Sequence, residues 1–276
     1  MNLKTAPRYF AKALVAILLL LAACSKDSNS PSVDTTNGEK ASESDAALQD
    51  AVSTANDGQD GSLDGVSGAR VQACGTVTVD KTAKTITIDF GSDGCTGADG
   101  RVRKGKIVII YIGSDIKTSS SRSITFTNYS VNSNTISSGT ITQTNVQHPT
   151  ATSLSFSLTA TNLSLTLSDG KTYTIGSYQR DFSYDYGDVT TVADDVATIT
   201  GSSSLTNSSG SSITVDITSP ITIKGSCAAT GFFYPVSGTY QVVDGKTTYT
   251  IDWGTGTCDK DISITVLSKT VVKTLP

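Results

Sequence analysis

Alternating apolar and polar residues, separated by short polar turns, run through almost the whole chain after Val71. Ile86, Ile88 and Phe90, for example, alternate with threonine and aspartate, which is the period of a half-buried β-strand. Connections this short force neighbouring strands to be antiparallel, because a parallel pair needs a long crossover. The sequence therefore predicts an all-β fold, an antiparallel meander of about a dozen strands.

Aspartate–glycine pairs mark two of the predicted hairpins. Asp169-Gly170 lies between a run of alternating leucines and Tyr173, and Asp244-Gly245 lies between two similar runs. An Asp-Gly turn between alternating segments is the strongest short-range indication of a hairpin. Further strands are predicted at 105–113, 122–131, 134–146, 152–161, 178–186, 192–200, 211–224 and 261–273.

Two architectures agree with this pattern. A single curved sheet or open barrel follows the order of a meander, and we favour it. A two-layer β-sandwich is the alternative. The run Ile107–Ile112 is apolar at almost every position, so it is predicted to lie in the centre of a sheet that is covered on both faces.

One short helix is predicted, over residues 43–56. Ser42 and Asp45 have the spacing of a capping box. A helix of this length is marginal by itself, so we expect it to pack on the β domain or fray. The polar residues around it predict a flexible tether over 24–66, followed by a single β domain over 67–276. The apolar stripe of the helix consists of Leu48, Ala51, Val52 and Ala55.

A short phrase near the start of the β domain returns near its end. Residues 88–95 and 251–258 both read Ile-Asp-aromatic-Gly and end on a cysteine. Each phrase is the outgoing arm of a predicted hairpin, and another cysteine precedes each incoming arm. Four cysteines allow three connectivities, and the repeat favours Cys74–Cys95 and Cys227–Cys258.

The first 24 residues have the pattern of a secretory signal peptide. Basic residues at 4, 8 and 12 precede an apolar run over 13–21, which is too short to be a comfortable membrane span. The run ends on Leu-Ala-Ala before Cys24, and this ending resembles the bacterial lipobox. The resemblance implies cleavage after residue 23 and a lipid on Cys24, which leaves the other four cysteines to pair in an oxidising compartment.

Further stretches resemble lipoproteins of the Bacteroidota type. Ser25-Lys26-Asp27 resembles their surface-export signal, which implies an outer-membrane lipoprotein that faces the exterior. The phrase Ile-Asp-Phe-Gly, together with Asp99-Gly100-Arg101 and Lys104-Gly105-Lys106-Ile107, is similar to a group of lipoproteins from that phylum. That group has no established activity, so the resemblance implies a location and no functional residue.

Charge and composition exclude several classes of function. Residues 1–23 contain three basic and no acidic residues, so their removal would leave 18 Lys+Arg against 25 Asp+Glu. Such an acidic chain is not expected to bind nucleic acid. The single histidine, His148, lies in a polar turn, and the sequence has no nucleophile elbow, phosphate loop or Cys/His zinc motif. We expect no metal and no cofactor, and the lack of these motifs favours a non-catalytic role without deciding it.

Two aromatic clusters are the candidate ligand-binding residues. The first occupies one face of a predicted strand, where packing in the core is the favoured interpretation. The second lies in the loop within the second cysteine pair, where it could contact a glycan or a protein. The clusters are Phe182, Tyr184 and Tyr186, and Phe232, Phe233 and Tyr234.

Charged residues support two further hypotheses. The basic stretch 101–106 is predicted to be a solvated turn, with a docking site for anionic glycans as the alternative. Asp89 and Asp252, which occupy matching positions in the repeat, could act as acid and base. The favoured interpretation is that they accept backbone hydrogen bonds before a glycine bend.

The sequence thus predicts a lipid-anchored protein of the cell envelope, displayed on the surface, with a non-catalytic binding or structural role. Its first expected partner is the membrane, through the lipid on Cys24. A periplasm-facing carrier of lipid or another hydrophobic ligand is an alternative, and it requires an apolar cavity inside the curved sheet. A glycan-directed enzyme that uses the aspartate pair is the second alternative.

Overall fold

A computed structural model describes residues 34–63, 74–97, 99–114, 119–150, 152–188, 191, 193–228, 230, 232 and 234–275. All of them belong to one compact unit, Val33–Pro276. The predicted signal peptide over 1–23 and Cys24 lie outside the described residues.

Fourteen strands and two helices make up the described chain. The helices are α1 (Thr36–Leu63) and the four-residue α2 (Gly225–Ala228). The strands are β1 (Thr76–Asp80), β2 (Thr85–Asp89), β3 (Cys95–Thr96), β4 (Val102–Tyr111), β5 (Ser121–Val131), β6 (Asn134–Gln147), β7 (Ser153–Thr166), β8 (Thr172–Asp185), β9 (Val196–Asn207), β10 (Ser212–Lys224), β11 (Ser237–Asp244), β12 (Thr247–Thr255), β13 (Asp261–Val266) and β14 (Lys269–Thr274).

All fourteen strands belong to one antiparallel sheet in meander order. The order runs from β1 through β2 and β4 to β14, and the short β3 pairs with β4 beside this path. β1 and β14 are the two edges and do not pair with each other, so the sheet is open. The all-β meander and the single curved sheet are confirmed, and the two-layer sandwich is not.

Helix α1 lies inside the curve of the sheet. It contacts β1, β2, β4 and β5 from one end of the meander and β10, β11 and β12 from the other. Its side chains are buried around the whole circumference, from residue 41 to 45 and again from 47 to 52. A helix that contacts both ends of one sheet must be wrapped by that sheet. The prediction that the helix packs on the β domain is confirmed.

The helix begins earlier than predicted. The backbone N–H of Thr36 donates to the carboxylate of Asp34 at 3.0 Å and caps the first turn. The hydroxyl of Ser42 donates to the carbonyl oxygen of Gly38, one turn earlier in the same helix, at 2.9 Å. The predicted capping box of Ser42 and Asp45 is therefore wrong.

The compact domain also begins earlier in the chain than predicted. The predicted tether covered residues 24–66, but α1 occupies 36–63 and is packed within the compact unit. The prediction misjudged this segment because its residues are mostly polar, and polar side chains are expected in solvent unless partners are present inside. Residues 24–33 and 64–66 lie outside the described residues.

The run Ile107–Ile112 is covered on one face only. Ile107 and Ile109 point inward and are fully buried, whereas Ile110 is 46% exposed and Ile112 is 57% exposed. The prediction of a strand covered on both faces is therefore wrong. A single sheet that encloses one helix has no second layer to cover its outer surface.

Several strand boundaries differ from the predicted ones. The predicted strands 152–161 and 178–186 are parts of the longer β7 and β8, which continue to the turn at Asp169-Gly170. The predicted strand 261–273 is a hairpin of β13 and β14, whose turn places Leu267 and Ser268 at positive φ. A turn without glycine or proline gave no indication in the sequence.

β-Bulges bend the strands around the helix. Gly105 in β4 has φ +75°, Asn128 lies opposite it in β5 with φ +51°, and the register of this pair shifts after Lys104. A Cβ atom at Gly105 would collide with the carbonyl group of Asn128. Gly139 and Asn162 form a similar pair between β6 and β7. Bulges of this kind increase twist and allow a long sheet to curl.

The two disulfides are those expected from the repeat. Cys74 bonds to Cys95 and Cys227 bonds to Cys258, with Cα–Cα distances of 5.6 and 5.3 Å. Each bond closes a loop around one hairpin, β1–β2 in the first case and β11–β12 in the second. The prediction of two related, separately bridged hairpins is confirmed.

Replacing Gly105 with alanine should destabilise the protein by about 3 kcal/mol, because the substitution combines a strained backbone with a steric collision. The matched control is Gly210→Ala, since Gly210 also has positive φ but has open space where the Cβ would lie. That control should lose about 1 kcal/mol. Urea denaturation of the full chain measures both values, and equal losses would show that the bulge at Gly105 does not constrain the sheet.

Candidate functional site

Aspartates of α1 form ion pairs with arginines on the inner face of the sheet. Asp50 Oδ1 lies 2.5 Å from Arg103 Nη2 and 2.6 Å from Arg101 Nη1. Asp99 binds the same Arg103 at 2.6 Å, and the hydroxyl of Tyr129 donates to Asp50 Oδ2 at 2.9 Å. Arg103 is only 1% exposed, so this cluster fixes the helix against β4 and β5 from within the interior.

Ionisation of the cluster follows from its contacts. Burial by itself would raise the pKa of Asp50, but the neighbouring Arg103 and Arg101 outweigh burial and hold that pKa below its usual value. Burial similarly opposes the charge of Arg103, whereas Asp50 and Asp99 raise its pKa above the usual range. Burial raises the pKa of Tyr129 well above its usual value. The aspartate and arginine are therefore charged at neutral pH, and the phenol keeps its proton.

A second buried ion pair joins α1 to the middle of the sheet. Arg180 Nη2 on β8 lies 3.0 Å from Asp45 Oδ1 and also donates to the hydroxyl of Ser203 on β9. The guanidinium lies over the ring of Tyr178, with its central carbon 5.0 Å from the ring centroid, a cation–π geometry. The two ion pairs fix the helix at two points along its length.

The basic stretch 101–106 is not the predicted solvated turn. Most of it belongs to β4, and Arg103 is among the most deeply buried side chains in the described chain. Lys106 is exposed and pairs with Asp89 at 2.8 Å. Burial alternates along β4 without interruption, so Arg103 lies on the same inner face as Ile107 and Ile109, and both lysines lie outside.

A cleft of about 110 Å³ opens above α1, and we call it the helix cleft. Its floor is formed by the helix residues Glu43, Ala46, Ala47 and Asp50. The two alanines create the space, because larger side chains at these positions would fill it.

Hydrogen bonds hold the rim of the helix cleft together. Asn132 and Asn134 flank the β5–β6 turn, where Asn132 Oδ1 accepts from the backbone N–H of Val102 at 3.2 Å. Asn134 Oδ1 accepts from the backbone N–H of Ser168, in the β7–β8 turn, at 2.9 Å. The hydroxyl of Ser168 in turn donates to Glu43 Oε1 at 2.7 Å. Two turns and the helix are thus linked by consecutive hydrogen bonds.

The opposite wall of the helix cleft includes Arg101, Leu275 and Tyr234. Tyr234 stacks on Trp253 with 6.4 Å between ring centroids, and the guanidinium of Arg101 lies over its ring at 5.6 Å. Of the predicted loop cluster, Tyr234 therefore lies at the cleft. Phe232 is half-buried and is not among the cleft residues, and Phe233 lies outside the described residues.

The aromatic row on β8 packs inward. Phe182 is 3% exposed and stacks on Phe156 of β7 at 5.1 Å. Tyr184 and Tyr186 continue the stack at 6.0 Å intervals and are half-buried. The row belongs to the core, as favoured from the sequence, and it is not part of the helix cleft.

Asp89 and Asp252 have the same local role. The carboxylate of Asp89 accepts from the N–H of Gly91 at 2.9 Å, and that of Asp252 accepts from the N–H of Gly254 at 2.8 Å. Both glycines have positive φ. The carboxylate of Asp89 accepts hydrogen bonds from Lys106 and from the backbone N–H of Gly91, and these two bonds, the first more strongly, lower its pKa. This turn geometry is the favoured interpretation from the sequence.

Across the described ranges, no set of three or more His, Cys, Asp or Glu side chains is placed to hold a metal ion. In the same residues, α1 included, no helix combines the length and the apolar composition that a membrane crossing needs.

Comparisons with known proteins add no relatives. No family model, no curated protein and no solved structure matches this chain.

Sequence reasoning missed the helix cleft and the buried ion pairs. One indication was present: period two puts Arg180 on the same face of its strand as Tyr178 and Phe182, so an inward arginine was readable from the pattern. An inward arginine requires a buried acidic partner, and α1 carries the nearest set of carboxylates. The cleft itself depends on turns that are far apart in sequence.

Replacing Asp50 with asparagine should destabilise the protein at pH 7 by about 3–5 kcal/mol, because the buried guanidinium of Arg103 would lose one of its two carboxylate partners and Arg101 would lose its ion pair. The matched control is Asp89→Asn, an exposed position at which asparagine can still accept from Gly91. Chemical denaturation at pH 7 should show little change for this control.

The loss at Asp50 should depend on pH. The pKa of Asp50 is lower in the folded than in the unfolded chain, so its stabilisation is complete above the unfolded pKa of about 4 and is lost as pH falls through the folded pKa. Denaturation between pH 7 and pH 2 should therefore show the wild type approaching Asp50→Asn only below about pH 4. A constant difference over this whole range would contradict the ion-pair assignment.

Proposed function

We propose that this chain is a lipid-anchored, surface-displayed protein of the cell envelope with a non-catalytic binding role, and that the helix cleft is its binding site. The observation that carries the proposal is the chain of hydrogen bonds that links the rim of the cleft to α1. A site whose walls are already held in place loses little conformational entropy when a ligand binds.

The charged groups of the cleft have structural partners. Asp50 accepts from both Arg101 and Arg103, and Glu43 accepts from Ser168 and from Lys40 at 2.8 Å. Carboxylates held in this way are suited to fixing the shape of a pocket rather than to exchanging protons with a substrate. This arrangement favours binding over catalysis.

The two alternative functions have less support. A carrier of lipid needs an apolar space inside the curve of the sheet, and α1 occupies that space with side chains such as Ala51, Val52 and Ala55, which are fully buried. A glycan-directed enzyme needs available carboxylates, and Asp89 and Asp252 each accept a backbone hydrogen bond in a turn. We therefore propose neither of them.

The position of α1 limits the distance between the domain and the proposed anchor. The folded helix begins at Thr36, twelve residues after Cys24 in the sequence. At about 3.3–3.6 Å per residue, a fully extended segment of this length spans only about 40 Å. The binding cleft would therefore lie near the outer surface of the membrane.

Replacing Cys24 with alanine should remove the lipid and release the chain from the membrane fraction. Mass spectrometry and fractionation of cells that express each form measure this, and Ser28→Ala is the control that should remain attached. Protease added to intact cells should digest the wild-type chain if it faces the exterior. Membrane attachment that persists in Cys24→Ala would contradict the proposed anchor. Complete protection of the wild-type chain in cells whose other surface proteins are digested would contradict the proposed surface display.

A further inference from the structure

We propose that the ligand of the helix cleft is a neutral carbohydrate, of which the cleft holds one sugar ring. This inference rests on the proposed binding function and adds the chemical class of the ligand. Three properties of the cleft support it: the balance of its charges, the type of its hydrogen-bonding groups and the mixture of polar and apolar surface.

The charges around the cleft nearly cancel. Arg101 and Arg103 pair with Asp50 and Asp99, which leaves no excess of either sign in that cluster. At the other side, Lys40 lies 2.8 Å from Glu43 and 3.3 Å from Asp169, both of which it partly neutralises. A phosphate, a carboxylate or a polyamine would need one sign to dominate, so a neutral ligand fits best.

The rim provides uncharged groups that suit hydroxyls. Asn132 and Asn134 each use the side-chain oxygen within the wall, which leaves the Nδ2 group as the donor for a ligand. Ser133 and Ser168 add exposed hydroxyls at the same rim. Sugar hydroxyls both donate and accept, so they can pair with amide and hydroxyl groups that are close together.

Apolar surface completes the match. Ala46, Ala47, Val131 and Leu275 contribute hydrocarbon to the cleft, and Tyr234 contributes part of its ring. A sugar ring has a C–H face that can lie against such surface while its hydroxyls reach the rim. The volume of about 110 Å³ is small compared with the roughly 300 Å³ at which pockets for drug-sized ligands begin, so the rest of a glycan would extend outside.

The test uses calorimetric titration of the full-length chain, purified in detergent, with four sets of probes. These are neutral oligosaccharides from purified polysaccharides, neutral glycans released from the envelope of the expressing cells, acidic oligosaccharides, and free amino acids. Neutral oligosaccharides from at least one of the first two sets should bind, and the set that binds identifies the source of the ligand.

Two variants locate the binding. Ala46→Phe should fill the cleft and raise the Kd at least about tenfold, whereas the matched control Ala193→Phe, in an exposed turn, should leave the Kd unchanged. Asn132→Gly removes the amide at a position with positive φ that glycine accepts, and should raise the Kd about fivefold. This second variant keeps the test valid if Ala46→Phe fails to fold.

Other outcomes would overturn the inference in distinct ways. Preferential binding of acidic oligosaccharides or amino acids that Ala46→Phe abolishes would refute the carbohydrate assignment but support the binding function. Binding of neutral glycans that neither variant weakens would refute the helix cleft as their site. No binding by any of the four sets would refute this inference, while the anchoring experiment with Cys24→Ala would still test the proposed location separately.

Discussion

Ion pairs between α1 and the inner face of the sheet are the interaction on which the rest of the structure depends. Arg103 and Arg180 are buried on the concave side of the strands, and a buried guanidinium without a carboxylate costs several kcal/mol. Asp50 and Asp45 supply those carboxylates. Because Asp45 pairs with Arg180 and Asp50 pairs with Arg103, at two different points of the sheet, these ion pairs fix both the depth and the rotation of the helix. Apolar contacts alone would constrain the depth and rotation of the helix less, because the hydrophobic effect has little directionality.

The helix cleft follows from this fixed position. With α1 held in place, Ala46 and Ala47 always face the same turns, and small side chains there leave a gap instead of a contact. The β5–β6 and β7–β8 turns then close around that gap through their hydrogen bonds with each other and with Glu43. The cleft therefore depends on the packing of α1 against both turns, and no single residue forms it.

Much of the fold was predictable from the sequence, and the reasons are local. Period-two alternation and Asp-Gly turns depend on adjacent residues, so the meander and its hairpins could be inferred, and the repeated phrase indicated both disulfides. The extent of α1 was not predictable in this way, because several of its polar residues are buried against partners far away in the chain, such as Arg103 and Arg180. Arg103 was misinterpreted because a basic stretch is expected in solvent, although period two places it on the same face of its strand as Ile107 and Ile109. The cleft is lined by turns from separate hairpins, and a local sequence pattern does not show that two such turns lie close together.

The position of α1 in the chain has a consequence for folding. The side-chain amide of Asn37 bonds to the carboxylate of Asp244, a contact across 207 residues. Since a chain is synthesised from its N-terminus, the helix segment is made first and cannot complete its contacts until almost every strand has been made. Contacts of such long range slow folding, and a mostly polar helix can remain in water during this delay without aggregating. The composition that hid α1 from sequence analysis is thus suited to a segment that emerges first and is enclosed last.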